Sequence, residues 1–167
     1  MRVSLEWKPT DSASRFSFIP STAAAVLLAT QVARPNFGLT LDVGHLLLAG
    51  ENPAQSIALA ADAGLLYGVQ LSDAHSRLGA EDGLAFGAVN AAAAQETVHW
   101  LRRLKYRGVI YFDTFPANED PVAEAALNIR TVARLWRRAA ALAAAGIDAA
   151  IARHDAMASL LLQEATP

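Results

Sequence analysis

Carboxylates close every apolar run of this chain that reads as a strand. Glu6 stands near the end of Arg2–Lys8, Asp42 ends Phe37–Asp42, Asp73 ends Leu66–Asp73 and Asp113 ends Gly108–Asp113. One such acid is readily explained as the cap of the next helix. Four in succession ask for more. In a parallel sheet these ends lie on one face, where four carboxylates could not all ionise without a cation. With no cysteine in the chain, the donors must be Asp, Glu and His, a set that suits Mg²⁺, Mn²⁺ or Co²⁺.

More candidates surround the four acids. His45 follows Asp42 by three residues, a spacing that lets a carboxylate and an imidazole from one strand-end loop reach a second ion. The loop after Asp73, AHSRLGAEDGLAFG, carries His75, Glu81 and Asp82 toward the same face, with His75 a ligand or a substrate contact. Lys8 lies two residues from Glu6 and shares its side of the strand, so it either hydrogen-bonds an oxygen beside the metal or pairs with Glu6. Trp7 offers a flat apolar face to a bound ligand, although alternation with Glu6 turns it toward the helix layer. His99 reads as a surface or interface residue, His154 and the pairs Arg102-Arg103 and Arg137-Arg138 as solvated groups, and Trp100 and Trp136 as helix-packing residues.

The elements that must position these residues alternate. Helical patterns cover Ser21–Ala33, Asn52–Ala63, Asn90–Lys105, Asp120–Leu142 and Ile147–Gln163, with Asn52-Pro53 and Asp120-Pro121 as start signals. The order β-α-β-α-β-α-β-α-α predicts an α/β fold with a parallel sheet and right-handed crossovers. No Gly-rich phosphate loop follows a strand, so a (β/α) barrel of the TIM type is favoured over a nucleotide-binding sheet. Its inner face is expected to carry Val3 and Leu41.

With 167 residues, 53% hydrophobic and 18% charged, the chain can bury one real core. A net charge of −2 and a pI near 6.1 argue against a nucleic-acid partner. Charges at Arg2, Glu6 and Lys8 argue against a signal peptide, and the run Thr22–Val32 is too short to span a bilayer. A cytoplasmic protein without a membrane partner is expected.

At these residues the sequence resembles the xylose isomerase-like barrel superfamily, most nearly xylose isomerase and the bacterial L-rhamnose isomerases. Glu6-Trp7-Lys8-Pro9 resembles the family's Glu-x-Lys-Pro at strand five, and Asp42-Val43-Gly44-His45 its acidic-x-Gly-His after strand six. Asp73, Glu81/Asp82 and Phe86-Gly87 resemble its strand-seven acid, loop acids and Phe-Gly. Phe112-Asp113-Thr114-Phe115-Pro116 resembles its strand-eight Phe-Asp-x-x-Pro. The ordered set covers roughly residues 2–140. Three departures stand out. Glu81 and Asp82 are adjacent where the family separates its loop acids by one residue. Gln70 or Asp73 occupies the strand-seven ligand region, and Asp73 is taken as the ligand. Phe115 stands where xylose isomerase has Lys.

The resemblance implies a metal-dependent aldose–ketose isomerase acting by hydride shift on an open-chain sugar. Glu6, Asp42, Asp73 and Asp113 would hold one divalent ion, and Asp42, His45 and Glu81/Asp82 a second. Lys8 would polarise the carbonyl oxygen, and His45, His75 and Trp7 would contact substrate. The alternatives are a one-metal ketose 3-epimerase, with Glu6 and Asp113 as acid and base and His45 on the sugar, and a non-catalytic half-barrel module. The family's barrel has eight strands, so residues 1–145 are expected to be its C-terminal half and residues 146–167 a helical extension. Pairing with a second copy or with the missing half is expected, and little isomerase activity from the chain alone.

Overall fold

A computed structural model describes residues 1–11 and 16–167. Four parallel strands, β1 (Val3–Glu6), β2 (Phe37–Asp42), β3 (Leu66–Gln70) and β4 (Val109–Tyr111), form one sheet in the order β1-β2-β3-β4. The crossovers hold α1 (Thr22–Val32), the pair α2 (Val43–Leu48) and α3 (Pro53–Asp62), and α4 (Ala91–Arg103). After β4 come α5 (Pro121–Ala144), α6 (Ile147–Ala152) and α7 (Ala156–Ala165). This is the expected α/β architecture, a partial (β/α) barrel.

Local signals account for the helix starts. Ser21, Asn52 and Asp120 each accept a backbone N–H at the N-cap of α1, α3 and α5, and Pro53 and Pro121 occupy first-turn positions. Two helices differ from expectation. α2 begins directly after β2, because Asp42 caps it by accepting from His45 N. The last helix is divided near His154, whose φ of 55° breaks it, and Asp155 caps α7 afresh.

Register decides which residues share a face. Glu6 pairs with Thr40, Thr40 with Gly68, Asp42 with Gln70, and Gln70 with Tyr111. One face of the sheet therefore carries Ser4, Glu6, Thr40, Asp42, Gln70 and Tyr111. The other carries Leu5, Leu39, Leu41, Val69 and Ile110, which pack with the helices in one core that includes Ile57, Val98, Leu101 and Leu135. The expectation of an apolar inner face is thus corrected. Leu41 belongs to the buried core beneath the helices, while the face away from them is polar or small on β1 to β3 and carries the exposed Val109 and Tyr111 on β4. That face is kept low by glycine: a Cβ on Gly68 would lie 2.6 Å from Thr40 Oγ1.

His99 is buried rather than superficial, with Nε2 3.0 Å from Asp148 Oδ1, and Arg103 joins the same carboxylate at 2.7 Å. Arg138 is likewise not simply solvated, since it donates to the carbonyls of Gln163 and Thr166 and ties α7 to α5. Trp100 and Trp136 are partly buried, and Trp136 packs on the core as expected. Among the described residues no helix is long and apolar enough to cross a membrane.

Candidate metal centre

Glu6 ends β1, Asp42 ends β2 and His45 sits in the first turn of α2. Parallel pairing of β1 with β2 sets the two acids side by side at the same strand end. One ligand atom from each of Glu6, Asp42 and His45 lies within 4.8 Å of the other two. His45 Nδ1 lies 3.0 Å from the Trp7 carbonyl and 3.4 Å from Glu6 Oε1, while its Nε2 faces Asp82 Oδ2 at 3.5 Å. Asp42 is fixed through Oδ1, which accepts from Ser72 Oγ at 2.8 Å and from His45 N at 3.1 Å. Ser72 also accepts from Gly44 N, and a Cβ on Gly44 would fall 2.6 Å from Ser72 Oγ. Glycine is therefore required at this close approach.

The acids strain against one another. Burial pushes Asp42 up to about 6, assisted by the nearby Asp113 charge and opposed by its bonds from Ser72 and His45 N. Glu6 is also raised, first by burial, with Asp42 and Asp113 adding to the rise and His45 and Gln70 opposing it. His45 is lowered by burial and by the Lys8 ammonium. Asp113 thus acts on the group through its charge from beyond the end of β4. Acids held in this condition favour a cation among them, which would reverse both upward shifts.

The other expected site residues are placed as follows. Lys8 Nζ is 2.5 Å from Asp82 Oδ2, which is 3.5 Å from His45 Nε2, so Asp82 closes the loop over the centre through an ion pair. Glu81 and His75 are exposed, joined by a backbone bond from His75 N to the Glu81 carbonyl, and neither side chain has a partner among the described residues. Trp7 is 4% exposed and belongs to the core, so its ring is not open to a sugar and only its carbonyl serves the site. Asp73 lies three residues beyond β3 and is not brought to the group. Its Oδ1 accepts from Ala74 N and Asn90 Nδ2, and its Oδ2 from Val89 N and Asn90 N. With four donors on two oxygens, Asp73 fixes the approach to α4.

Gln70 is the residue passed over in favour of Asp73. It ends β3 opposite Asp42 and lies close enough to the Glu6 carboxylate to favour its charged form, while its buried Oε1 has no partner. Such an orphaned acceptor beside two acids and an imidazole fits a divalent cation. The signal was in the strand itself, where Gln70 is a polar residue within LYGVQLS and a neutral donor was discounted against an acid.

Comparison with known proteins joins this geometry to the motifs. Residues 2–139 match the family model described as the xylose isomerase-like TIM barrel. The chain belongs to this family. It is 31% identical over 112 residues to the xylose isomerase of Thermus thermophilus, covering 67% of this chain and 29% of that protein. In fold it is similar to the xylose isomerase domain protein of Planctomyces limnophilus, with a TM-score of 0.60 at 18% identity, covering 84% of this chain and 46% of the other. A D-tagatose 3-epimerase-like protein gives a TM-score of 0.62 at 18% identity, over 81% of this chain and 48% of the other. The chain spans less than a third of the curated relative and about half of the solved neighbours.

Proposed function

We propose that this chain forms the metal-binding half of a sugar isomerase or epimerase, which either interconverts an aldose and a ketose or inverts the carbon next to a ketose carbonyl. The observation that carries this reading is the convergence of Glu6, Asp42 and His45 at the C-terminal ends of β1 and β2, where barrels of this type hold their sites. Glu6, Asp42, His45 and Asp113 are the residues that would hold a divalent ion such as Mn²⁺, Mg²⁺ or Co²⁺. Gln70 Oε1 takes the place first assigned to Asp73 among them. When bound, such an ion supplies Lewis-acid polarisation of adjacent sugar oxygens.

The chain's own groups do the rest. Lys8, released from Asp82, donates a hydrogen bond to the substrate carbonyl oxygen and stabilises charge developing there. Glu6 and Asp113 approach the site from the two outer strands, which suits a pair that exchanges protons with opposite sides of a substrate. That placement favours the 3-epimerase alternative, in which one carboxylate takes the proton from carbon and the other returns one.

Mn²⁺ titration by calorimetry tests the reading. Asp42→Asn combined with Asp113→Asn is expected to weaken binding by about 100-fold. Unchanged affinity in a folded double variant would refute the metal centre.

A further inference from the structure

We infer that the helix layer holds a second binding site, a cavity of about 400 Å³ between α4 and the α6–α7 extension that takes a small primary amine with an apolar body. It shares no residue with the metal centre and does not depend on it.

Polar ties build the cavity. Gly146, at φ 93°, turns the chain out of α5, and α6 and α7 come to lie beside α4. Asp148 holds α6 to α4 through His99 Nε2 at 3.0 Å and Arg103 Nη1 at 2.7 Å. Arg138 of α5 holds α7 by donating to the carbonyls of Gln163 and Thr166. α7 itself has no buried residue. Hydrogen bonds rather than close packing keep it in place, so the volume beside it stays unfilled.

The lining defines what would fill it. Leu142, Ile147, Ile151 and Trp100 supply apolar walls, and Ser159 and Gln163 of α7 close one side. Gln95 lines the cavity from α4 and is 5% exposed. Its Nε2 donates to the Leu135 carbonyl, and its buried Oε1 has no partner among the described residues. A buried acceptor without a donor is costly, so a ligand that donates there gains. Nearby donors are already used: Gln163 Nε2 is given to Ser159, and His99 Nε2 sits on Asp148. Charge points the same way. Among the described residues lining the cavity, Glu96 is the one acid and there is no Lys or Arg. Glu96 Oε2 accepts from Asn52 Nδ2, a neutral group that leaves the carboxylate charge uncompensated. Arg103, over the Trp100 ring at 4.9 Å, is paired with Asp148. An ammonium group answers both features, with an N–H for Gln95 Oε1 and a positive charge for Glu96 at the exposed rim. A carboxylate or phosphate would meet Glu96 with like charge and bring Gln95 no donor. The volume lies within the range of small-molecule sites, and the apolar walls suit an alkyl or aryl chain.

Phenylbutylamine is the probe, with phenylbutanol and phenylbutyrate as controls of the same shape. Each is titrated into the isotope-labelled 167-residue chain and followed by amide NMR shifts. Saturable binding of the amine is expected, with shifts in α4, α6 and α7, about tenfold weaker binding of the alcohol and weaker still of the carboxylate. Gln95→Met should weaken the amine by about tenfold. Glu96→Gln should bring the amine down to the affinity of the alcohol and leave the alcohol within about twofold. Ile151→Trp, at a partly exposed wall position, fills the cavity and should abolish binding of all three probes in a chain shown by thermal unfolding to be folded. Equal affinities for the three probes, or an amine affinity unchanged by Glu96→Gln, would overturn the assignment to amines. An amine affinity unchanged by Gln95→Met or Ile151→Trp would overturn the site, as would no saturable binding by the folded chain, which would mean that water alone answers Gln95.

Discussion

At Asp42 one carboxylate both caps α2 and faces the metal centre, and its pKa of about 6 records the conflict. Because the folded value lies above the unfolded one, the native state holds the extra proton between about pH 4 and 6. Stability therefore falls as pH rises through that window, by roughly 3 kcal/mol for a shift of this size. The raised Glu6 acts in the same direction, and the lowered His45 in the opposite one. Urea denaturation of the metal-free protein at pH 4.5 and 7 should show the loss, and Asp42→Asn should remove most of it. A stability curve identical in the two proteins would contradict the assignment. Asp73 gives a contrasting residue-scale expectation. Asp73→Asn places an amide where two backbone N–H groups now donate to Oδ2, and should cost about 2–4 kcal/mol in denaturation while leaving the metal stoichiometry unchanged.

Among the elements, α2 is the link between sheet and site. It starts without a loop because Asp42 caps it, and its first turn holds His45 over Glu6. The Gly44 hydrogen leaves room for Ser72, which in turn holds Asp42. Gly44→Ala is expected to push Ser72 aside and to destabilise the protein by about 1–3 kcal/mol, with weaker Mn²⁺ binding as a consequence. Thermal unfolding with and without Mn²⁺ separates the two effects: a variant that loses stability but keeps full metal affinity would show that the Ser72 bond does not position Asp42. The short helix was invisible to periodicity because six residues give too few turns for a pattern, and VGHLLL is buried on all sides.

For the whole molecule, the sheet is open at β1 and β4 and bare on its polar face. Val109 is 75% exposed and Tyr111 is also exposed on that side. All-parallel sheets are stable with both faces covered, and unpaired edges seek strands. The 167-residue chain is therefore expected to self-associate at micromolar concentration, with sedimentation as the measure. A cooperatively unfolding monomer would argue against edge pairing. The same openness bears on activity. Among the described residues no wall stands opposite Glu6 and Gln70, and turnover should rise at least about 10³-fold when four further βα units complete the barrel. Equal rates with and without that complement would show that the half carries the chemistry alone.

Composition, alternation and turn residues determined the strand-and-helix order, the parallel sheet and the acids at its strand ends, since these depend on local periodicity and on the chirality of crossovers. The Asp42–His45 pairing was legible because three residues of chain fix its reach. Tertiary structure decided the rest. Asp73 and Gln70 are three residues apart, and sequence favoured the charged one. Only the folded arrangement of the 85–90 segment against the loop shows Asp73 spent on backbone donors and Gln70 turned toward Glu6. The partners of His99 and Arg138 were out of reach of sequence for the same reason: burial and partnership depend on segments distant in sequence, and a side chain's chemistry becomes a site only when the fold leaves it free.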